Sequence, residues 1–538
     1  MYPFLNGVTE EALRRVVHAA LPGIDSGRMD QFDRAQLYSI LFSLHGFDLL
    51  SEASLRQAML LSVSETDLQR IAVSAEVDPF GKTFDVALRI ANQPWRAGGV
   101  TPAVLEGEFK IPGEFLPNKS DRDPSVEIVE PYSDLPSLFD YQEEMVTALT
   151  DSLSAESPRA CLLQLPTGAG KTRVTMEGIS RFLNKRDVEQ RDVGVLWMAH
   201  SEELCDQAVD AFLRTWTSKG SFNVRLARYW GPYQSTIEEL KGSFVVAGYQ
   251  KLVSLASKRG PDFEKLASSL ALVVIDEAHK ALAPTVKSLL DYFRRRTIRV
   301  VGLTATPGRG QDAELENRRL ANLFDRNLLR SSSLGDDPIR ALQGRGILAR
   351  VRRTVVDTGF RIVHGSADSQ GEEGLDDMPA QVLGRLARDE SRNRLIVDTV
   401  RSHVARGFPT LVFCCTVEHA RDLAVDAASC GIKSAFLDCR MARGRRRRVI
   451  AAFRSGFVEA LFNFGVLSTG FDAPNIQCVV IARPTSSIVL YSQMVGRGLR
   501  GSAVGGSSEF VLVDVRDNTE TFGEIGEVYR HFEDYWAS

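Results

Sequence analysis

Two glycines, a lysine and a threonine stand together in "LPTGAGKTRVT", at Gly168, Gly170, Lys171 and Thr172. Glycine enters backbone conformations closed to other residues, so successive N–H groups can turn toward one anion. An ammonium beside such a loop reaches the outer oxygens of a polyphosphate, and a neighbouring hydroxyl can hold magnesium. Thr167, Gly168, Ala169, Gly170, Lys171 and Thr172 are therefore a candidate phosphate cradle. Leu165 stands where the general pattern has its first glycine. A second set lies about a hundred residues on, where "LALVVIDEAHKAL" ends in Asp276, Glu277, Ala278 and His279. An aspartate there suits a magnesium ion bridging phosphates, and the glutamate beside it suits a base that orients an attacking water. Acidic residues also gather at helix N-termini for the dipole alone. Beside a glycine loop, nucleotide chemistry is the stronger reading.

These residues need elements to hold them. "ACLLQL" before the loop reads as a buried strand, and "TRVTMEGISRFL" after it has helical spacing, which puts a helix N-terminus at the anion. From 136 to 308, "VGVLWMAH", "SFVVAGY", "ALVVIDEAH" and "IRVVGLTAT" are further short apolar runs alternating with helical stretches. That alternation predicts an α/β domain with a parallel sheet covered on both faces. A charged, mixed connector follows at 309–350. Residues 351–517 repeat the alternation with "TLVFCCT", "KSAFLD", "EALFNF", "QCVVIAR" and "EFVLVDV", and a short helical tail is expected at 518–538. Residues 1–75 read as a helical N-terminal domain, with Ser64 and Asp67 forming a box-like helix start. The Pro-, Gly- and Asp-rich stretch 76–135 reads as an irregular or small β accessory segment and linker.

At 538 residues, 44% hydrophobic and 25% charged, the chain has material for several cores, and its net charge of -4 excludes a basic-tail protein. Any nucleic-acid contact must come from local patches. Seven scattered cysteines with no CxxC pair argue against a zinc site or a disulfide framework. The N-terminus lacks a signal-peptide pattern and no run reaches the ~18 apolar residues of a membrane span. A cytoplasmic protein with no membrane partner is expected.

Taken in order, the motifs resemble those of superfamily 2 helicases or translocases of the DEAD/DEAH type. "FDYQEEM" resembles the Q motif, which implies that Gln142 reads adenine; Phe139 stands where relatives often carry a basic residue. "MAHSEELCDQA" and "VVAGYQKL" resemble the next strand-end motifs, with Gly248 in place of a common threonine. "GLTATPGR" matches motif III and implies coupling roles for Thr304 and Thr306, alongside His279. In the second half, "TLVFCCTVEHARDLA" resembles motif IV and "VLSTGFDAPNI" motif V, around Gly470 and Asp472, with Thr469 where an acidic residue is common. "YSQMVGRGLRG" matches motif VI, giving Gln493, Arg497 and Arg500. The resemblance covers 136–517 and is nearest the branch with restriction-enzyme motor subunits and excision-repair DNA helicases. It implies two tandem RecA-like domains closing on ATP and magnesium, and nucleic acid as partner, DNA preferred over RNA. Three residues apart, Arg497 and Arg500 are expected to share one helical face and to reach the phosphate from the second lobe. An RNA helicase acting locally and an ATP-gated clamp that recruits an effector are the alternative readings.

Weaker candidates remain. "CRMARGRRRR", with Arg440, Arg443 and Arg445 to Arg448, reads as a phosphate grip or partner surface, or as a solvated helix whose charges point all round. Asp85, Glu108 and Lys110 have the residue types of a metal-dependent nuclease, a pattern common in charged surface strands. The N-terminal domain is expected to pack on the first lobe or to dock a partner protein.

Overall fold

The computed structural model describes residues 3–21, 26–93, 95, 109–111, 115, 123–132, 134–157, 159–185, 194–258, 260–305, 314–359, 378–438, 440–467, 475–485 and 487–517. The expected tail at 518–538 lies outside them, as do Thr306, Gly470, Asp472 and Glu108.

The N-terminal domain is built from α1 (Glu10–Ala20), α2 (Ser26–Met29), α3 (Arg34–His45), α4 (Ala53–Leu60), α5 (Glu65–Ser74) and α6 (Thr83–Ala91). Local chemistry starts its helices. Thr9 caps α1 by accepting from Ala12 N at 3.2 Å, Asp33 and Gln36 close a capping box on α3, and Ser64 accepts from Asp67 N at 3.1 Å. Helix α6 corrects the reading of 76–135 as irregular. Pro79 and Gly81 mask a nine-residue helix whose Val86, Ala87, Ile90 and Ala91 are buried against α4 and α5. Asp85 sits exposed on that helix, not on a strand, which removes the nuclease arrangement.

The first lobe runs β1 (Val126–Val129), α7 (Asp140–Ser154), β2 (Ala160–Gln164), α8 (Lys171–Asn184), β3 (Gly194–Ala199), α9 (Glu202–Lys219), β4 (Val224–Tyr229), α10 (Ile237–Leu240), β5 (Phe244–Gly248), α11 (Tyr249–Ser257), α12 (Pro261–Ser268), β6 (Leu270–Ile275), α13 (Pro284–Arg295), β7 (Arg299–Thr304), α14 (Glu314–Leu323), β8 (Leu328–Leu329) and α15 (Pro338–Gly344). Its sheet has the order β1-β4-β5-β3-β6-β7-β2-β8, parallel except for β1 on β4. The second lobe runs β9 (Arg350–Asp357), α16 (Ala380–Ala387), α17 (Glu390–Val404), β10 (Thr410–Phe413), α18 (Val417–Ser429), β11 (Ser434–Leu437), α19 (Arg443–Arg454), β12 (Ala460–Asn463), β13 (Cys478–Ile481), α20 (Ile488–Val495) and β14 (Glu509–Arg516). Its sheet is wholly parallel in the order β11-β12-β10-β13-β14-β9. Two doubly wound α/β lobes behind a helical domain match the expected fold class. No helix among the described residues is long and apolar enough to cross a membrane.

The connector at 309–350 is less separate than its charge suggested. Strand β8 adds to the first sheet through Leu328 and Leu329 beside Leu162 and Leu163. Gly346 to Ala349 then pair with the second lobe, through Ala349 N to Leu499 O (2.8 Å), Gly501 N to Ile347 O (2.9 Å) and Ala503 N to Gly346 O (2.9 Å).

The N-terminal domain rides on the second lobe, which corrects the expectation of the first. Helix α3 is apolar nearly all round, with Leu37, Ile40, Leu41, Phe42 and Leu44 buried, so it needs cover on several sides. It takes that cover from α18 and the edge strand β11, with Gln36 Nε2 donating to Ser429 O at 2.7 Å. Phe42 and Phe47 pack on Phe457 at 5.2 and 5.5 Å between ring centroids. The arginine run in α19 completes the junction. Successive helical residues point about 100° apart, so neighbouring arginines reach different bodies. Arg445 donates to Leu44 O and Arg448 pairs with Asp48, both in the N-terminal domain. Arg446 pairs across the lobes with Glu203 (2.9 Å) and Glu202 (3.5 Å), and Arg447 with Asp123 (3.1 Å). These charges clasp domains together, so the phosphate-grip reading of the run gives way.

Two features here govern stability. Arg392 and Asp517 form a fully buried pair at 2.7 Å, joined by Ala482 O and Thr358 Oγ1. Asp517→Ala strands a buried guanidinium and is expected to cost about 3–5 kcal/mol, read as a lower urea midpoint. Burial, then Arg445, pushes His45 down to about 4, although its Nδ1 lies 3.3 Å from Glu52. Burial, then Arg392, pushes His419 down to about 3. With folded values below the unfolded ~6.5, the unfolded chain binds the extra protons, so stability is held above that value and lost as pH falls through the window below it. Urea unfolding at pH 5 is expected to show a loss on the order of 2 kcal/mol per histidine relative to pH 7, and His45→Gln to remove part of that slope.

Candidate functional site

Strand β2 is buried along its whole length and ends against the loop. Gly168 and Gly170 take left-handed φ of 85° and 90°. A Cβ at Gly170 would stand 2.5 Å from Gln142 Nε2, so this glycine answers both to backbone shape and to space. Leu165 fits in place of a first glycine because its side chain is 1% exposed in the core, while its carbonyl accepts from Lys171 Nζ at 3.1 Å. Gln142 is spent on the backbone. Its Nε2 donates to Ala169 O (3.2 Å) and its Oε1 accepts from Phe139 N (3.1 Å). The Tyr141 hydroxyl donates to the same Ala169 O at 2.8 Å. The geometry makes Gln142 a holder of the loop; for the expected adenine contact it offers no separate support. Phe139 and Tyr141 stack with their rings 11° from parallel.

Across the cleft, β6 ends at Ile275 and delivers Asp276 at 7% exposure. Its backbone is fixed by Asp276 N to Met198 O (3.0 Å) and by the Tyr249 hydroxyl donating to its carbonyl (2.9 Å). Burial, then the neighbouring Glu277 charge, pushes the Asp276 carboxyl up to about 7. Glu277 is buried too, which works against its charge, yet His279, then Lys171 and Arg497, hold it below the usual carboxylate range. His279 Nδ1 lies 3.3 Å from Glu277 Oε2. Glu277 occupies a left-handed backbone at φ 52°, a costly setting for a non-glycine residue. Burial draws Lys171 below its ordinary value, with Glu277 and Asp276 opposing that shift. Thr304 ends β7, fully buried, beside the loop's base.

The second lobe completes the cleft. Arg497 lies close enough for its charge to act on both Lys171 and Glu277. Its Nε donates to Gln493 O at 3.1 Å, and Gln493 is buried. Helix α20 stops at Val495, so Arg497 and Arg500 do not share a helical face as expected. Gly496 is its C-terminal cap, and Arg500 sits in a β-bridge with Leu348 of the connector. The helix stops there because Gly496 and Gly498 interrupt it where the chain must press on its neighbours. A Cβ on Gly496 would overlap the Thr167 methyl and stand 2.8 Å from Thr167 Cβ. Leu348 Cδ2 lies 3.2 Å from the Cβ position of Gly168, so the connector touches the loop directly. Sequence reasoning missed Tyr141, Leu348 and Gly496; the first and last sit inside recognised motifs and Leu348 in the connector, and none of their partners was visible.

No ligand set of three or more His, Cys, Asp or Glu side chains occurs among the described residues. Magnesium needs fewer, because it keeps water and phosphate oxygens in most of its sphere. The Asp276 carboxyl, raised by burial and a like charge, is a donor that a divalent cation would relieve, and Thr172 lies one residue after Lys171 at the start of α8. The residues present fit such an ion.

Two family models match this layout: the type III restriction enzyme res subunit over residues 135–309, and the helicase conserved C-terminal domain over residues 391–502. With these two domains in tandem the chain has the fold of superfamily 2 helicases. Among its superfamily relatives, IRC3 of Saccharomyces cerevisiae, named for an ATP-dependent helicase, is 29% identical over 385 residues, 70% of this chain and 51% of the relative. The type I restriction enzyme EcoAI endonuclease subunit of Escherichia coli is 23% identical, over 71% of this chain and 46% of the relative. Thus the chain spans about half the length of these curated relatives. A crystal structure of the DUF1998 helicase MrfA bound to DNA shares the fold, with a TM-score of 0.50 and 13% identity over 81% of this chain and 55% of that one.

The tight seat of Thr167 on Gly496 makes a closure test. Gly496→Ala is expected to lower ATP turnover at least about tenfold, a barrier increase near 1.4 kcal/mol, while nucleotide binding persists. Thr167→Gly in that background removes both clashing carbons and is expected to recover part of the rate, measured by steady-state ATPase and nucleotide titration.

Proposed function

We propose that the chain is an ATP-driven motor that acts on DNA as a helicase or translocase, in a restriction-like defence or repair system. The observation that carries the reading is the close seat of Gly496 on Thr167, which brings the adjoining Arg497 of the second lobe to the phosphate loop of the first. Simple nucleotide binding would need no cation from the far lobe. In this reading Thr167 to Thr172 wrap the phosphates with backbone N–H groups. Lys171 neutralises the outer oxygens, and Glu277 orients the attacking water. Thr172 and Asp276 would hold a divalent cation, which would supply further positive charge to the phosphates. Arg497 stabilises the charge of the transferring group, a contribution worth ~10³–10⁵ in rate. Arg500, bridged to Leu348, braces the segment that carries Arg497.

Cleavage and phosphate release remove the anion that draws Arg497 in, so the lobes part; the next ATP closes them. The strand ends of β3 and β5 in one lobe and β10 in the other then shift along a bound backbone, gripping phosphates without reading bases. The N-terminal domain moves with the second lobe, since α3 and α19 tie it there. DNA is favoured over RNA because relatives in this branch carry restriction-enzyme and UvrB names.

ATPase rates with single-stranded DNA, double-stranded DNA and RNA test the reading. Stimulation by DNA above RNA is expected, with Lys171→Ala losing binding and turnover, and Glu277→Gln and Arg497→Ala losing turnover while still binding ATP. Stimulation by RNA alone would move the function to local RNA strand separation. Movement-free stimulation, seen as no triplex displacement on long DNA, would make the chain a clamp.

A further inference from the structure

Behind Glu277 lies a group of side chains that the hydrolysis scheme does not use. His200 follows the last residue of β3, and Tyr249 opens α11 at the end of β5. The Lys280 Nζ lies 2.8 Å from His200 Nε2. An ammonium only donates, so Nε2 accepts and the ring proton sits on Nδ1. That Nδ1–H is buried and has no hydrogen-bond partner among the described residues. An orphaned buried donor costs about 1–3 kcal/mol, which native structures rarely tolerate without a use. Burial, then the Lys280 charge, holds the ring neutral by pushing it down to about 3. The ring packs beside Tyr249, at 6.2 Å between centroids, and the Tyr249 hydroxyl donates to Asp276 O.

Each end of this group is anchored to something that moves in the motor reading. On one side, Lys280 N donates to Glu277 O at 2.9 Å, so the turn from Ala278 to Leu282 is tied to the left-handed backbone of Glu277. On the other side, the two residues after Ser201 are Glu202 and Glu203, which pair with Arg446 of the second lobe. Ser201 caps α9 by accepting from Leu204 N, so the segment is short and stiff. A path of direct bonds therefore runs from α19 through 203–200 and Lys280 to Glu277. Two costs sit on that path, the strained Glu277 backbone and the unpaired His200 donor.

We propose that His200 is a positioning residue which couples lobe closure and polynucleotide binding at the ends of β3 and β5 to the backbone setting of Glu277. The inference rests on the motor reading above, and it assigns Lys280 as the donor that fixes the His200 ring and Tyr249 as its platform.

The test is the full chain's ATPase, titrated with double-stranded DNA, reading basal turnover, stimulated turnover and the DNA concentration at half effect. His200→Phe keeps the ring on Tyr249 but has no acceptor, and Lys280→Met removes the donor. Both are expected to keep basal turnover and half-effect concentration within about twofold and to lose about tenfold or more of the stimulation, the size of an ordinary coupling energy. His200→Gln restores an acceptor and is expected to recover most of it. The double variant His200→Phe with Lys280→Met is expected to be no worse than either single one. Full stimulation in both single variants, or equal loss of basal and stimulated turnover with no rescue by Gln, would overturn the inference and leave the motor reading standing. A wild-type chain that no polynucleotide stimulates overturns the motor reading and the inference with it.

Discussion

Four ionisable groups meet at one cleft: Lys171, Asp276 and Glu277 from one lobe and Arg497 from the other. Taken singly, each would be expensive to bury. Together they settle unequally. Asp276 is driven toward its neutral form by burial and by Glu277, while Glu277 keeps its charge because cations surround it. That asymmetry separates a carboxyl suited to share a cation from a carboxylate suited to hold water. Most of it is set within the first lobe, by burial, His279 and Lys171, and Arg497 of the second lobe adds to it. The set is assembled from two sheets that meet at a seam.

The seam is kept closable by small residues and by redundant bracing. Gly496 lets Thr167 approach, and the Gly346 to Ala349 segment pairs with Leu499 to Ala503 while touching the phosphate loop through Leu348. Away from the nucleotide, α19 makes the opposite kind of contact. Its arginines bind the N-terminal domain tightly to the second lobe, but cross to the first through Glu202 and Glu203 alone among the pairs described above. These ion pairs tie α19 to the first lobe at one place, whereas apolar packing as well as charge joins the helical domain to the second lobe.

Much of this was legible before any coordinates. The phosphate loop, the Asp276 and Glu277 pair and the order of the motifs are local patterns, because strand, turn and helix spacing must be written in consecutive residues. The apolar strands β2, β3, β5, β6, β7 and β10 to β14 stood out for the same reason: buried parallel strands are continuous apolar runs. Strands β4 and β9 did not, since "VRLARY" and "RVRRTVVD" carry arginines that find partners such as Glu127 and Asp514 elsewhere in the chain. Helix α6 was hidden by the turn residues on either side of it.

What consecutive residues determined, then, was which side chains could do phosphate chemistry and which elements would carry them, since periodicity and turn chemistry act within a few residues. Tertiary structure alone decided the rest. The arginine run became an interdomain clasp because Asp48, Glu203 and Asp123 happen to meet it in space. Arg497 and Arg500 parted company because Gly496 ended their helix against the neighbouring lobe. His200 acquired a lysine partner eighty residues away. Desolvation, charge pairing and steric closure depend on distance in space, and no local pattern encodes that distance.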